Sequence, residues 1–319
     1  MDKAGAGQVP LVLVTGHAFG VRAFEGIFAS RAFLDGRIGV PLMIGLDDSH
    51  AAATVGYTPL SRLAAEQGAR YITTSDGRLS SLAGQIRAAR PAYILVIGWS
   101  HLVGADILSI PSAAVSSQDG AAGWSGCIGM HPTMLPAGRG QAPIPWTIIK
   151  DLKETALSVF FLVAEADAGP IIAQYELEVR AGENSASLFY RIAHTHFTAG
   201  LELAERLGDG SVSARIQDET VATRWPRRRP KDGEILDTMT CREIGLLVRA
   251  LLGPYPRAFI WRAGEKVEIR GVEPAADGPA AAGAAGAAEG DSDDGRRIRF
   301  RCRDGEVYLL RDDPRAATQ

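Results

Sequence analysis

Between Cys127 and Trp146 the chain reads CIGMHPTMLPAGRGQAPIPW, with Pro132, Pro136, Pro143 and Pro145 interspersed among Gly129, Gly138 and Gly140. Proline fixes φ and removes a backbone donor, and glycine weakens helices and strands. This density predicts an irregular loop over Cys127–Trp146 rather than a helix or a central strand. A loop held rigid by such residues and carrying one histidine, His131, is a natural place for a site. The plainer reading of the same residues is a proline-rich surface turn.

The flanking sequence indicates what holds the loop. Pro10–Thr15 (PLVLVT) is a continuous apolar run, as expected for a strand covered on both faces. Val21–Ser30 has helical spacing, with Val21, Phe24, Ile27 and Phe28 on one side. Strands are expected at Val40–Leu46, Arg70–Thr74 and Ala92–Ile97, and helices at Leu60–Gln67 and Ser80–Ala89. Thr155–Val163 and Ile171–Val179 read as further strands, followed by a helix from Ser185 to about Leu207. Strands alternating with helices imply an α/β, Rossmann-like parallel sheet with right-handed crossovers. Ligands of open sheets bind beyond the carboxyl ends of the strands. Gly98, Trp99, Ser100 and His101, directly after the strongest strand signal, are therefore expected to line that crevice. The Gly16/Gly20 turn lacks the three-glycine spacing of a dinucleotide fingerprint, so a nucleotide-binding oxidoreductase rests on that turn alone.

Past residue 207 the character changes. Residues 208–230 read as a linker, with Arg224, Arg227, Arg228, Arg229 and then Lys231 clustered around two prolines. Such a cluster is either solvated or a phosphate contact. A helix is expected at Cys241–Leu252, then short β segments at Ala258–Arg262, Lys266–Val272, Arg297–Cys302 and Glu306–Leu310, suggesting a small barrel. The predicted division is a catalytic domain over 1–207, the linker, and an OB-like β-barrel domain over 231–319. Within it, residues 273–295 are rich in Ala and Gly with no Lys or Arg, and are expected to be disordered.

Composition sets outer limits. The 319 residues carry a net charge of −3, so no global field favours nucleic acid or an anionic membrane. No apolar run approaches the roughly 18 residues needed to span a bilayer, and the run near the N-terminus is too short for a signal peptide. Cys127, Cys241 and Cys302 form no metal-ligand pattern. The expectation is a cytoplasmic protein with three ordinary thiols, no bound metal and no membrane association. His194 and His196 fall about 200° apart on a helix and cannot share a metal; surface or packing roles are expected for them.

Moving an acyl group to an amine requires a donor for the developing oxyanion, a base for the amine proton and fixed positions for both reactants. A histidine backed by a carboxylate can serve these needs. His131 follows one expected strand and Asp167, in the turn EADAGPIIAQ, follows the next. The two strand ends could converge on one crevice, although a structural histidine and aspartate on loops would also account for them.

CIGMHPTMLPAGRGQAPIPW followed by EADAGPIIAQ resembles the 10-formyltetrahydrofolate-dependent formyltransferases. Their pattern is Asn-x-His-x-Ser/Thr-x-Leu-Pro-x-x-Arg-Gly-x-x-Pro, with Asp-x-Gly about 35 residues on. ILVIGWSHLVGADIL looks like the folate-side strand of that family. RRRPKDGEI and EIGLLVRALLGPYPRAF resemble the entry to its C-terminal barrel. The resemblance covers about Leu11 to Val272. It implies that His131 and Asp167 are catalytic and that 10-formyltetrahydrofolate is the cosubstrate, held by Ile97, Gly98, Trp99, Leu162, Val163 and Gly169. It also implies that the acceptor is contacted by Thr133, Arg139, Gly140, Gln141, Pro143 and Trp146. The third catalytic residue of the family, an asparagine, falls on Gly129. Thr133, Gln141 and Ser125 are the nearest polar substitutes.

The tRNA enzymes of the family resemble one another in a basic loop after the second strand. Here that segment, GLDDSHAAATVGYTP, has two aspartates and no Lys or Arg. It would repel a phosphate backbone, which argues against nucleic acid as partner. The expected acceptor is the primary amine of a small molecule, a nucleotide-linked amino sugar. A methionyl-tRNA formyltransferase is the alternative, and a formyltransferase-fold binding protein with little or no activity, because of Gly129, is a second. A formyl-folate hydrolase is a further rival, set back by the lack of an additional domain ahead of Leu11. The insertion Ser112–Ser125 has no recognised counterpart in the family, and the oligomeric state is left open.

Overall fold

Leu11, Val12, Leu13 and Val14 have no exposed surface, because the strand that holds them lies inside a sheet covered on both faces. The computed structural model describes residues 8–115, 124–275 and 295–312. A seven-stranded sheet is built from β1 (Val9–Val14), β2 (Ile38–Leu46), β3 (Tyr71–Thr74), β4 (Tyr93–Ile97), β5 (Cys127–His131), β6 (Glu154–Phe161) and β7 (Ile171–Glu178). Its spatial order is β7-β6-β5-β4-β1-β2-β3. The first five strands run parallel, while β6 is antiparallel to both β5 and β7. The sheet is thus mixed, with its parallel part as expected.

The chain divides into two compact units. The first, 1–143, 154–178 and 190–225, contains the sheet and helix α1 (Ala18–Ala29). One side of the sheet is an apolar layer of Val12, Val14, Leu42, Ile44, Ile94, Val96 and Cys127. The order of the parallel strands reverses between β1 and β4, and their carboxyl ends meet there: a Cβ on Gly98 would come within 2.6 Å of the His17 Cβ. A ligand crevice is expected at this kind of switch point.

Two expectations about the proline-rich stretch change. Cys127–His131 is an interior strand rather than loop, because the first proline comes only at residue 132 and Gly129 leaves the pairing intact. Pro143–Ile149 is a short helix with proline at its first position, where a missing N–H costs nothing. The segment between them is irregular apart from Arg139–Gly140, which pairs with Arg224–Trp225, and it contains a cis Leu135–Pro136 peptide.

The second unit comprises 144–153, 179–189 and 226–319. Thr240 and Glu243 form a reciprocal cap that starts helix α2 (Cys241–Ala250). β8 (Ala258–Arg262) and β9 (Glu265–Ile269) make one hairpin, and β10 (Gly271–Pro274), β11 (Arg297–Cys302) and β12 (Gly305–Leu310) a separate three-stranded sheet. The expected segment Lys266–Val272 is therefore two strands. Cys241 and Cys302 are joined in a disulfide, which corrects the expectation of three free thiols: the spacing of 61 residues hid a 5.7 Å approach of their α-carbons. Cys127 is free and buried, and that burial pushes its thiol up to about 11. Most of the Ser112–Ser125 insertion and of the 273–295 stretch lies outside the described residues. Among the described residues no helix is long and apolar enough to cross a membrane.

Candidate active site

His131 is the last residue of β5, paired with Ser158 of β6, with only 7% of its surface exposed. Its Nε2 lies 2.9 Å from the Gly138 carbonyl oxygen. A carbonyl only accepts, so Nε2 carries the hydrogen and Nδ1 of the neutral ring presents a lone pair. That Nδ1 faces Oδ1 of Asp167 at 3.9 Å, too far for a hydrogen bond. With the ring neutral, a lone pair and a carboxylate oxygen face each other across that gap, an arrangement that suits a third group carrying N–H donors. An incoming ammonium or amine fits that description, and catalytic contacts of this kind tighten when substrate binds.

Asp167 is held by different means. It sits in the turn after β6 with φ of 59°, a left-handed conformation uncommon for a side-chain-bearing residue. The Gly140 N–H donates to Asp167 Oδ2 at 2.8 Å, fixing the carboxylate from the histidine's own loop. Two residues on, Gly169 presses against the sheet so closely that a Cβ there would come within 1.7 Å of the Phe161 carbonyl oxygen. Only glycine lets the turn fold back at this point. The sequence expected His131 and Asp167 to converge, and the fold brings them together.

The site's apolar wall comes from the ends of β4 and β6. Ile97 is buried, Trp99 and Leu162 pack against the same core layer, and Gly98 turns the chain with φ of 63°. The Trp99 indole Nε1 is buried without a hydrogen-bond partner. Val163 lies against the Gly169 turn. An unpartnered indole N–H among apolar side chains fits a flat heteroaromatic group with acceptor atoms.

The expected acceptor residues separate into groups. Gly140 contacts Asp167 through its amide. Gln141 has an exposed side chain, and its backbone N–H bonds the Trp225 carbonyl. Thr133 is 1% exposed, and its hydroxyl has no hydrogen-bond partner. Arg139 differs from expectation. It is buried, and its guanidinium is engaged by Gln217 and Glu219 through four hydrogen bonds rather than presented to a substrate. Pro143 opens the short helix that carries Trp146. Trp146 belongs to the second unit, where its Nε1 donates to the Pro226 carbonyl and the Arg228 guanidinium lies 5.0 Å from its ring centre. Arg228 is thus an aromatic partner. Arg224, in the first unit, pairs with Glu165.

Gly129 explains itself sterically. It lies two residues before His131 on the same strand and faces the same side. A Cβ there would meet Leu162 Cδ2 at 2.7 Å and Phe160 Cζ at 3.4 Å. Leu162 therefore fills the space into which a side chain at 129 would grow. Of the three polar substitutes, Ser125 is tied to the Leu108 carbonyl and Gln141 points to solvent, so Thr133 is the one left buried with an unused hydroxyl. Sequence reasoning missed Gln217 and Glu219 altogether; Gln217 lies 50 residues beyond Asp167, and nothing local marks either residue.

The sheet thus sets a histidine and an aspartate 3.9 Å apart at neighbouring strand ends. Residues 55–202 match the family model described as Formyl transferase, so the chain carries a formyl transferase domain and is a formyl-transferring enzyme. Over 244 residues it is 28% identical to a methionyl-tRNA formyltransferase of Anaeromyxobacter sp. (strain K), spanning 76% of this chain and 73% of that one. Its fold is similar to that of WlaRD, a sugar 3N-formyl transferase solved in the presence of dTDP and 5-N-formyl-THF. That likeness has a TM-score of 0.66 at 12% identity and covers 97% of this chain and 99% of that one. It is also similar to the N-formyltransferase from Helicobacter canadensis in complex with folinic acid and dTDP-3-aminofucose. Here the TM-score is 0.66 at 13% identity, over 95% and 99% of the two chains. At such identities the structural likenesses establish the fold alone.

Proposed function

We propose that this enzyme transfers the formyl group of 10-formyltetrahydrofolate to the primary amine of a small acceptor, a nucleotide-linked amino sugar. The observation that carries the reading is the pair of facing acceptors, His131 Nδ1 and Asp167 Oδ1, 3.9 Å apart. When bound, the formyl-folate supplies an activated formyl carbon and a nitrogen leaving group; Ile97, Trp99 and Leu162 would hold its ring. Asp167 anchors the amine by accepting from its N–H. His131 takes a proton through Nδ1 as the amine nitrogen bonds to the formyl carbon and the carbon–N10 bond breaks. The imidazolium so formed returns that proton to the leaving nitrogen. The Thr133 hydroxyl, left without a partner, is the side-chain donor available in place of the amide that Gly129 lacks.

The acceptor class rests on charge. The loop after β2 carries Asp47 and Asp48 and no Lys or Arg through Pro59. The Ser49 amide holds the Asp47 carboxyl below its ordinary value, so the loop stays negative at neutral pH and repels a phosphate backbone. The two sugar formyltransferases match this chain over nearly its whole length, in keeping with that reading. A methionyl-tRNA acceptor is the second reading, supported by the sequence likeness to the Anaeromyxobacter enzyme. Tetrahydrofolate release across a panel of nucleotide amino sugars, including dTDP-3-aminofucose, with methionyl-tRNA alongside, decides between them. Turnover with a sugar nucleotide and none with the tRNA is expected; the reverse would overturn the assignment of acceptor.

A further inference from the structure

The Asp167 turn is fixed by a side chain that no part of the reaction requires. Gln217, 3% exposed, donates both amide hydrogens, one to the Asp167 carbonyl and one to the Gly169 carbonyl, each at 2.7 Å. Its Oε1 accepts from Arg139 Nε at 3.2 Å and from Nη2 at 2.9 Å. Every polar group of the amide is thereby used. Arg139 stands next to Gly140, whose N–H holds the Asp167 carboxylate. The loop after His131 is therefore joined to the aspartate's turn by two links, one through Gln217 and Arg139 and one directly from the Gly140 amide. A left-handed non-glycine residue persists only where its surroundings over-determine it, and the Gln217 amide is what does so at Asp167.

We propose that Gln217 is a positioning residue: its amide, oriented by Arg139, holds the Asp167 backbone so that the carboxylate meets His131 across the reacting amine. This inference rests on the proposed reading of the site. Glu219 supplies the control, since it shares Arg139 but does not touch the turn: it bonds Nη1 at 2.9 Å and Nη2 at 2.6 Å, and is itself largely exposed.

Two substitutions separate the contributions. Gln217→Glu keeps an acceptor for Arg139 and removes the donors to the two carbonyls. Glu219→Gln weakens the grip on Arg139 and leaves Gln217 in place. With 10-formyltetrahydrofolate and dTDP-3-aminofucose, Q217E is expected to lose about 10- to 100-fold in kcat, the scale of a 1 Å misplacement, with KM within about twofold. E219Q is expected to stay within about threefold in both. Hydrogen exchange of the Gly140 amide gives a readout that needs no acceptor: its protection should fall in Q217E and persist in E219Q. If wild type shows no turnover, the amino-sugar reading fails while the exchange arm still judges Gln217. Should Q217E not fold, the volume-matched Q217M is measured in the same way. Exchange of the Gln217 side-chain NH2 in the wild type is measured as well and should be slow. Unchanged kcat and Gly140 protection in the Gln217 variant, a loss confined to KM, an equal loss in E219Q, or rapid wild-type side-chain exchange would each overturn the proposal.

Discussion

The two halves of the His131–Asp167 pair are held by opposite strategies. His131 closes an interior strand, so its pairing with Ser158 of β6, the pairing of the preceding residues with β4 and the pleat of β5 fix its position. Asp167 sits on a turn with a left-handed backbone, tied down by the Gly140 amide and the distant Gln217 side chain. A strand end provides precision as part of the sheet. A turn has to obtain it from side chains, one contact at a time, so the aspartate's half should be the more easily disturbed by changes away from the chemistry.

Removing His131 is the harshest way to probe the comparison. His131→Ala deletes the proton carrier and leaves the strand, so kcat should fall roughly 10²–10⁴-fold in a protein that still folds, with a lowered melting temperature because the Gly138 carbonyl loses its partner. Asp167→Asn keeps an oxygen for the Gly140 amide but loses the charge facing the imidazole. A fall of about 10²-fold in kcat is expected, again with the fold intact. Equal, small effects from the two would mean that the pair is structural.

Gly169→Ala attacks the turn's geometry instead. The added methyl collides with the Phe161 carbonyl, so thermal unfolding should show a loss of about 1–3 kcal/mol, with turnover reduced as the turn shifts. A variant as stable and active as the wild type would show that the turn is not tightly specified. A milder test concerns Gly129. Because Leu162 occupies the adjacent space, Gly129→Asn alone should give no gain in turnover, whereas combining it with Leu162→Ala should raise turnover several-fold over the single variant. Additive effects in this double-mutant cycle would remove Leu162 as the obstacle.

The last expected effect lies away from the site and concerns stability alone. His196 is fully buried, its ring stacked on Phe19 at 4.5 Å, and burial lowers its ionisation to about 3. The unfolded chain, with an ordinary value near 6.5, binds the proton more readily. Its contribution to stability is complete above about pH 6.5 and is lost as the pH falls from there towards 3. The melting temperature should decline over that window, and less steeply in His196→Phe.

Much of this arrangement was legible in the chain. Continuous apolar runs such as Tyr93–Ile97 announced the parallel strands, and the spacing of His131 and Asp167 after consecutive strands anticipated their meeting. Proline density was the misleading signal: it suggested loop from Cys127 onward, although proline's constraint acts only from Pro132. The Gln217 brace was illegible because its partners lie some fifty and eighty residues away, and a glutamine in a polar segment carries no periodic signature. Arg139 misled for a related reason. An arginine beside glycine in a proline-rich loop reads as a ligand contact, and only burial against Gln217 and Glu219 shows it bracing the protein itself. The Cys241–Cys302 disulfide was hidden in the same way, since its two residues join a helix start to a strand end that local sequence cannot bring together.

The most direct measurement is a paired count of tetrahydrofolate released and formylated amine formed, for the wild type and His131→Ala, with 10-formyltetrahydrofolate and dTDP-3-aminofucose. The wild type should yield the two products mole for mole, and the variant should lose both together. Tetrahydrofolate released without formylated amine, or full formylation by the variant, would contradict formyl transfer through His131 and Asp167.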